Sequence, residues 1–492
     1  MVSRSTHWLL MGVALFGCGS RTPLWEIGAG GTGGMGSSGA GGSLGGSGGS
    51  TGGTGGTGGT GGTGGIGGTG GTGGSGGSGG VSPTCQGLAF EEDTLAFESN
   101  PEVIQYLPMF APVDEAGSRL AVGVVEMPVE SPGLVPGQLR LAAFDPWTSF
   151  SQLSLGAGTT PNFVVGVDQV AMDRGATDGT LAVAYPHNPA PPAADSSGLF
   201  LAEVTPDSSV TNAPIDLTTS TADSHRVRFV RRGPQGHLVG LTYGTAGNQG
   251  LDISFLDAQN QTLFTYARAG CATGAMVADA APSTDGFVFA YSSSREAFGC
   301  LNDDGADGPP GRINVGAYNA SFGFFSDVPI GYSMEDVVQF VRVIPHPEGT
   351  WLVFQYAGIN AEVPPPIEVL LFSDEGDVLD GPFSLPQVGD RYHVPGVAGL
   401  GRQLVFAWPE LMDPGPMAGN VAIVGAGGET FSTVFYPKSG TPFSASMSVM
   451  GAPAGDQFVV GWSEFGSDSP MVIRARIARF LCVELHGSDP RD

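Results

Sequence analysis

Seven short apolar runs recur along this chain, and their spacing constrains its fold more than any other feature. They are "RLAVGVV" ending at Val125, "TLAVAY" at Tyr185, "HLVGLTY" at Tyr243, "GFVFAY" at Tyr291, "WLVFQY" at Tyr356, "QLVFAW" at Trp408 and "QFVVGW" at Trp462. The ends are 60, 58, 48, 65, 52 and 54 residues apart, and six of the seven finish on an aromatic residue. Repetition at such a period means that one supersecondary unit is copied and stacked, because a single unit cannot bury its own apolar faces.

The neighbours of each run define the unit. Before most runs stands a Gly, Pro and Asp cluster such as "APVDEAGS", "MDRGATDG", "APSTDG" or "GAPAGD", the residue types that tight turns require. Upstream of the turn lies another β-prone stretch, for example "RVRFVR" or "VVQFVRVI", and downstream, after a variable loop, a third such as "LDISFLD", "IEVLLF" or "VIRARIARF". A weaker fourth often follows, as in "FSQLSL" and "TLFTYA". The second runs are apolar almost throughout, which fits strands covered on both faces. Helical periodicity is nearly lacking, and 37 prolines argue against a helical solenoid. The chain from Cys85 onward therefore resembles an all-β, seven-bladed β-propeller with about four antiparallel strands per blade. It shows neither a recurring Trp-Asp dipeptide nor a kelch-type glycine pair, so no subfamily follows.

Upstream of this body the composition changes. "MVSRSTHWLLMGVALFGCGS" has a basic start at Arg4 and a nine-residue apolar core from Trp8 to Phe16, too short to span ~30 Å of hydrocarbon and characteristic of an export signal. Its ending, Leu15, Phe16, Gly17 and Cys18, resembles the lipobox of bacterial lipoproteins, although Phe16 is bulkier than the family's usual residue there. The resemblance implies a signal peptide over 1–17, cleavage before Cys18 and lipidation of that cysteine. With Gly19 rather than aspartate following, it further implies placement at the outer membrane or cell surface.

Residues 18–84 then read as a lipid-anchored linker. The tract from Thr51 to Gly80 is ten triplets with two glycines each. Glycine loses the most backbone freedom on ordering, and the tract has almost no apolar surface to offset that loss. The Gly-rich segment from Gly28 to Gly80 is expected to be a disordered tether with a mean reach of roughly 40 Å. The body spans 85–486, with 487–492 as a flexible tail.

Net charge excludes some partners. The chain carries 20 basic and 47 acidic residues, and only Arg4, Arg21 and Glu26 of these precede residue 85. So acidic a body repels phosphate backbones, which excludes nucleic acid, and it leaves the lipid anchor as the only expected membrane contact.

If Cys18 carries lipid, four cysteines remain in an oxidising compartment, and two disulfides in any of three pairings are possible. The propeller reading favours Cys85 with Cys482, since a ring must tie its first strand to its last, with "CQGLAFEEDTLAF" completing the blade of "VIRARIARFLCVEL". It also favours Cys271 with Cys300, because the connections that carry them emerge on one face.

Those connections between second and third strands hold 12 acidic residues and one basic, Arg295. Glu126, Glu130, His187, Asp195, Glu362, Glu410, Asp413, Glu464 and Asp468 form the expected binding face, since loops on one end of a rigid scaffold are where binding residues gather. Within "CLNDDGADGPPG", Asn302, Asp303, Asp304 and Asp307 sit among glycines that let backbone curl round a hard cation; calcium is the cofactor such a loop would take, and an ordinary acidic turn is the alternative. The loop departs from the DxDxDG pattern. No zinc spacing, nucleophile elbow or phosphate-binding loop appears, so no catalytic residue is assigned.

The sequence therefore reads as an envelope-anchored lipoprotein whose monomeric propeller binds a protein or glycan partner without chemistry of its own. The alternative is a secreted propeller enzyme, a glycan lyase or hydrolase, that gathers acids from several blades.

Overall fold

A computed structural model describes residues 85–483, apart from connections that include 130–136, 148–163, 188–197, 294–310, 411–417, 437–446 and 466–472. Among the described residues every helix-or-strand element is a strand, and the strands form seven separate antiparallel sheets. Blade 3 shows the unit most plainly: Ser224–Gly233, Gly236–Thr245, Asn248–Asp257 and Thr262–Gly270 lie side by side in chain order. Blades 5 (Val337–His346 to Val378–Leu385) and 6 (Gly396–Leu400 to Thr430–Phe435) repeat it. In blade 1 the innermost position is shared by Val103–Gln105 and Met109–Pro112, which pair with the two ends of Leu120–Pro128. In blades 2 and 4 the outermost position is divided in the same way.

The seven sheets form a ring. Each innermost strand touches that of the next blade, and the innermost strand of blade 7, Ser448–Gly451, touches Met109–Pro112 of blade 1. This is the seven-bladed propeller that the repeats predict.

Burial follows position in the blade. All seven residues of Ala418–Val424, a third strand, are buried, whereas the outermost strand Thr430–Phe435 is exposed over most of its length. Inner strands are dried on both faces by the flanking blades, and for that reason their sequences need not alternate. The apolar clusters accordingly span blade boundaries: Val421 and Ile423 of blade 6 pack with Phe458, Trp462 and Phe480 of blade 7. Each large side chain removed from water there contributes about 1.5–3 kcal/mol. The aromatic residues that end the second strands, Tyr185, Tyr291, Trp408 and Trp462, are buried in these seams.

Some seams close so tightly that only glycine fits. A Cβ on Gly451 of blade 7 would lie 2.0 Å from the Gly399 carbonyl oxygen of blade 6, and one on Gly396 would lie 2.2 Å from the Met447 carbonyl oxygen.

The ring is pinned by its two ends. Gly87–Leu95 pairs antiparallel with Ile473–Val483 and supplies the fourth strand of blade 7. Cys85 and Cys482 form a disulfide with a Cα–Cα distance of 5.0 Å, closing 397 residues. The Cys85 amide also donates to Gln403 Oε1 of blade 6 at 2.8 Å. Cys271, Cys300, residues 1–84 and the expected tail 487–492 lie outside the described residues.

Candidate functional site: a cationic axial cavity

The connections singled out from the sequence fall largely outside the described residues: Glu130, Asp195, Glu362, Asp413 and Asp468 do, as do Asn302, Asp303, Asp304 and Asp307. His187 and Glu410 end the strands Leu181–His187 and Gln403–Glu410. The remaining two are engaged inside the blades. Glu126 Oε1 accepts from Arg140 Nη1 at 2.6 Å and from Gln105 Nε2 at 2.9 Å, across three strands of blade 1. Glu464 is buried and pairs with Arg476, whose Nη1 also reaches Asp93 Oδ1 at 2.6 Å.

A cavity of about 860 Å³ lies where the innermost strands meet, lined by those strands and by the tight turns that follow them. It thus sits toward the turns that precede the second strands, whereas the acidic connections follow the other end of those strands. The volume is that of a small-molecule pocket.

Its polar wall comes from blades 2 to 5. The innermost strand of blade 3, "SHRVRFVRRG", contributes Arg228, Arg231 and Arg232. A register shift between Val227 and Phe229 makes Arg228 the extra residue of a bulge, a device that re-aims a side chain. Its Nε donates to Thr242 Oγ1 at 2.9 Å. Arg174 from blade 2 and Arg342 from blade 5 complete the set. The chain has 20 basic residues in all, so five arginines on one cavity concentrate a quarter of them in a strongly acidic protein.

Two carboxylates among them, Asp279 and Asp173, hold blades together. Asp279 of blade 4 accepts from Arg231 Nη2 at 2.7 Å with one oxygen and from the Val343 amide of blade 5 at 3.1 Å with the other. Arg231 Nε meanwhile donates to the Ala280 carbonyl at 2.7 Å. Asp173 of blade 2 accepts from the Arg232 amide of blade 3 at 2.9 Å and from the Arg174 amide at 2.7 Å. At the rim, Asp114 accepts from Ser118 and Arg119, bonds that together lower its pKa against the opposing effect of burial.

The guanidiniums are less completely met. Arg232 Nη1 is buried with no hydrogen-bond partner. Burial, then the nearby positive charge of Arg174, lowers the Arg232 pKa, and Glu203, Asp173 and Glu115 only partly counter this. Arg342, whose Nη1 donates to the Val341 carbonyl at 2.8 Å, is shifted down chiefly by burial. Arg174 faces only exposed carboxylates at a distance, Glu115 at 3.5 Å and Asp178 at 3.8 Å.

The opposite wall, from blades 6, 7 and 1, is apolar and glycine-rich: Val397, Met447, Val449, Pro453, Met109 and Phe110 are representative. Two histidines stand near the cavity. His237 is buried, with Nε2 3.0 Å from the Arg174 carbonyl and Nδ1 2.9 Å from the Asn260 side chain. The atom facing Nδ1 is Asn260 Oδ1, so both partners are acceptors as placed; a neutral ring donates from Nε2 to the Arg174 carbonyl only with the Asn260 amide turned to present its NH2 group to Nδ1. His346 lines the cavity and accepts from the Glu348 amide at Nδ1, 3.1 Å. Among the described residues no group of three or more His, Cys, Asp or Glu side chains is placed to hold a metal ion.

Sequence reasoning located the blades but not this cavity. The one signal present was "RVRFVRR", four arginines within seven residues of a first strand, which reads as an ordinary β-prone run until the strand is known to face the axis.

No protein-family model and no curated protein matches the chain. Solved structures similar to it include a protein of unknown function from Dyadobacter fermentans, 9% identical, with a TM-score of 0.43 over 81% of this chain and 100% of that one. An ulvan lyase of a new polysaccharide lyase family is 11% identical, with a TM-score of 0.47 over 78% of this chain and 94% of that one. The α-L-arabinanase of Penicillium chrysogenum, solved with arabinobiose, is 14% identical, with a TM-score of 0.40 over 63% of this chain and 92% of that one. The strand order and ring closure described above, rather than these likenesses, establish the propeller.

Proposed function

We propose that the chain is an exported lipoprotein, held to the cell envelope through Cys18, whose propeller binds a protein or glycan partner at the axial cavity and carries out no reaction on it. One observation carries this reading: the two carboxylates on the polar wall, Asp279 and Asp173, are already engaged in holding the fold, Glu115 lies exposed, and the His346 Nε2 that has no partner is itself buried. Asp279 joins blades 3, 4 and 5, Asp173 joins blades 2 and 3, and His346 Nδ1 caps its own turn. A general acid or base needs a free position within hydrogen-bond reach of substrate, and engaged groups of this kind serve rigidity instead. Rigid walls also lower the ordering cost of binding.

Two measurements test the reading separately. Intact-mass analysis of the envelope fraction should find a diacylated or triacylated Cys18, and Cys18→Ser should release the body in soluble form; an unmodified wild-type cysteine would sink the anchor. For the cavity, ligands captured by the purified body should be recovered chemically unchanged. Turnover that disappears in a folded Asp173→Asn or Asp279→Asn variant would replace this reading with the enzyme reading.

A further inference from the structure

We infer that what the axial cavity takes from its partner is a compact organic anionic group, one or two carboxylates, sulfates or phosphates on a body with an apolar face, such as the charged end of a glycan. The inference rests on the proposed binding role and specifies what the cavity takes.

Electrostatics argue for the anion. Burying a guanidinium is costly unless its donors are met, yet Arg232 keeps a buried Nη1 without a partner, and Arg174 stands near enough to disfavour its charge further. Asp279 has both oxygens engaged across blade seams, and Asp173 has one oxygen on the Arg232 amide of blade 3 and the other on the Arg174 amide beside it. An incoming oxyanion would relieve the repulsion between Arg174 and Arg232, and a guanidinium fork meets two oxygens at once.

The shape of the site argues for a compact, two-faced ligand. Arginines occupy the side built by blades 2, 3 and 5, while Met109, Phe110, Val397, Met447 and Val449 occupy the facing side. A bare inorganic ion would leave that apolar side unused. A long polyanion would have to lie along an exterior whose formal charge is strongly negative, since the chain carries 47 acidic against 20 basic residues. A small anion enclosed near the axis escapes that repulsion, and a volume of about 860 Å³ accommodates it.

The test is calorimetric titration of the purified body with benzoate, glucuronate and citrate, alongside inorganic sulfate and the neutral analogues benzamide and glucose. At least one organic anion should bind at millimolar concentration or below, more tightly than sulfate and than its neutral analogue. R232Q and R174Q should each weaken it about tenfold or more, and R232K by less, because the charge remains but the fork is lost. R402Q, an exposed arginine paired with Glu348 at 2.7 Å and outside the cavity wall, should stay within about twofold. Thermal midpoints identify any variant that fails to fold, and R174Q then carries the test, because its side chain is more loosely held.

Anion binding unchanged in both R232Q and R174Q, or no binding by any organic anion, overturns the inference. Neutral analogues binding as tightly as the anions, insensitive to the arginines, would remove the anion assignment and leave the binding role standing. Conversion of a bound anion to product would remove the non-catalytic reading and leave the anion assignment standing.

Discussion

Arg231 of blade 3 and Asp279 of blade 4 meet at 2.7 Å across the seam between their blades, and the second oxygen of Asp279 accepts from the Val343 amide of blade 5. One carboxylate thus fastens three consecutive blades at the cavity wall. Asp279→Ala removes the fastening and leaves a partly buried guanidinium without its counter-ion. A loss of about 2–4 kcal/mol is expected in urea unfolding, smaller for Asp279→Asn. The partly exposed position of Arg231 keeps the cost below that of a fully buried pair. A change under about 0.5 kcal/mol would show that the bridge does not fasten the blades.

Arg476 holds the closing blade. It pairs with Asp93 of Gly87–Leu95, the fourth strand of that blade, and with Glu464 of its second, two side chains that are 0% and 3% exposed. Arg476→Met strands both carboxylates, and a loss of about 3–5 kcal/mol should follow. Combining it with Asp93→Leu and Glu464→Leu should recover most of the loss, since replacing a whole buried ion cluster is often neutral. If the triple variant is as unstable as the single one, the cause lies in packing instead of charge.

His237 predicts a stability that declines on the acid side. Burial, the leading cause, holds its folded-state pKa below the ordinary 6.5 despite opposing hydrogen bonds from Arg174 and Asn260. The unfolded chain therefore binds the proton first. The contribution is fully present above about pH 6.5 and falls as pH drops through the window below it, with a limiting slope of about 1.4 kcal/mol per pH unit for one group. His346, also lowered chiefly by burial, adds the same sign. Urea midpoints measured between about pH 8 and pH 5 should show the decline in the wild type and a flatter profile in H237Q. Identical profiles would assign the acid sensitivity to other groups.

The Cys85–Cys482 bond closes a loop of 397 residues. Chain-entropy arguments give about 6 kcal/mol for that length, and measured losses on removing a native disulfide are about 2–5 kcal/mol. Cys85→Ser should lie in the measured range while keeping the strand content of the wild type, because Gly87–Leu95 still pairs with Ile473–Val483. Loss of that circular dichroism signal at moderate temperature would mean that the sulfur bridge, not the strand pairing, closes the ring.

The fold was legible because its information is local and repeated. Runs such as "QLVFAW" and "QFVVGW" report double-sided burial by their lack of alternation, and Trp408 and Trp462 are buried as that pattern requires. Ring closure followed from the same reading, since a ring must join its first strand to its last, and Cys85 and Cys482 lie where those strands meet. The cavity was not legible. Arg174, Arg232 and Arg342 come from three different blades, and each alone reads as a polar residue in a strand; only curvature of the ring brings them to one wall. Acidic residues in loops were conspicuous by comparison, yet Glu126 and Glu464 turn out to serve the interior of their own blades.

Assembly of the ring has an order in time. The outer edge of the final sheet is the first part of the body to be synthesised, and its partner, Ile473–Val483, is the last. A chain still emerging from the ribosome or from a translocation pore can complete six sheets but not the seventh, and contacts so distant in sequence form slowly. Until Ile473–Val483 arrives, the strand from Gly87 to Leu95 is an unpaired edge open to the wrong neighbour. A prematurely terminated product would therefore be an aggregation hazard rather than a slightly shorter version of the same protein.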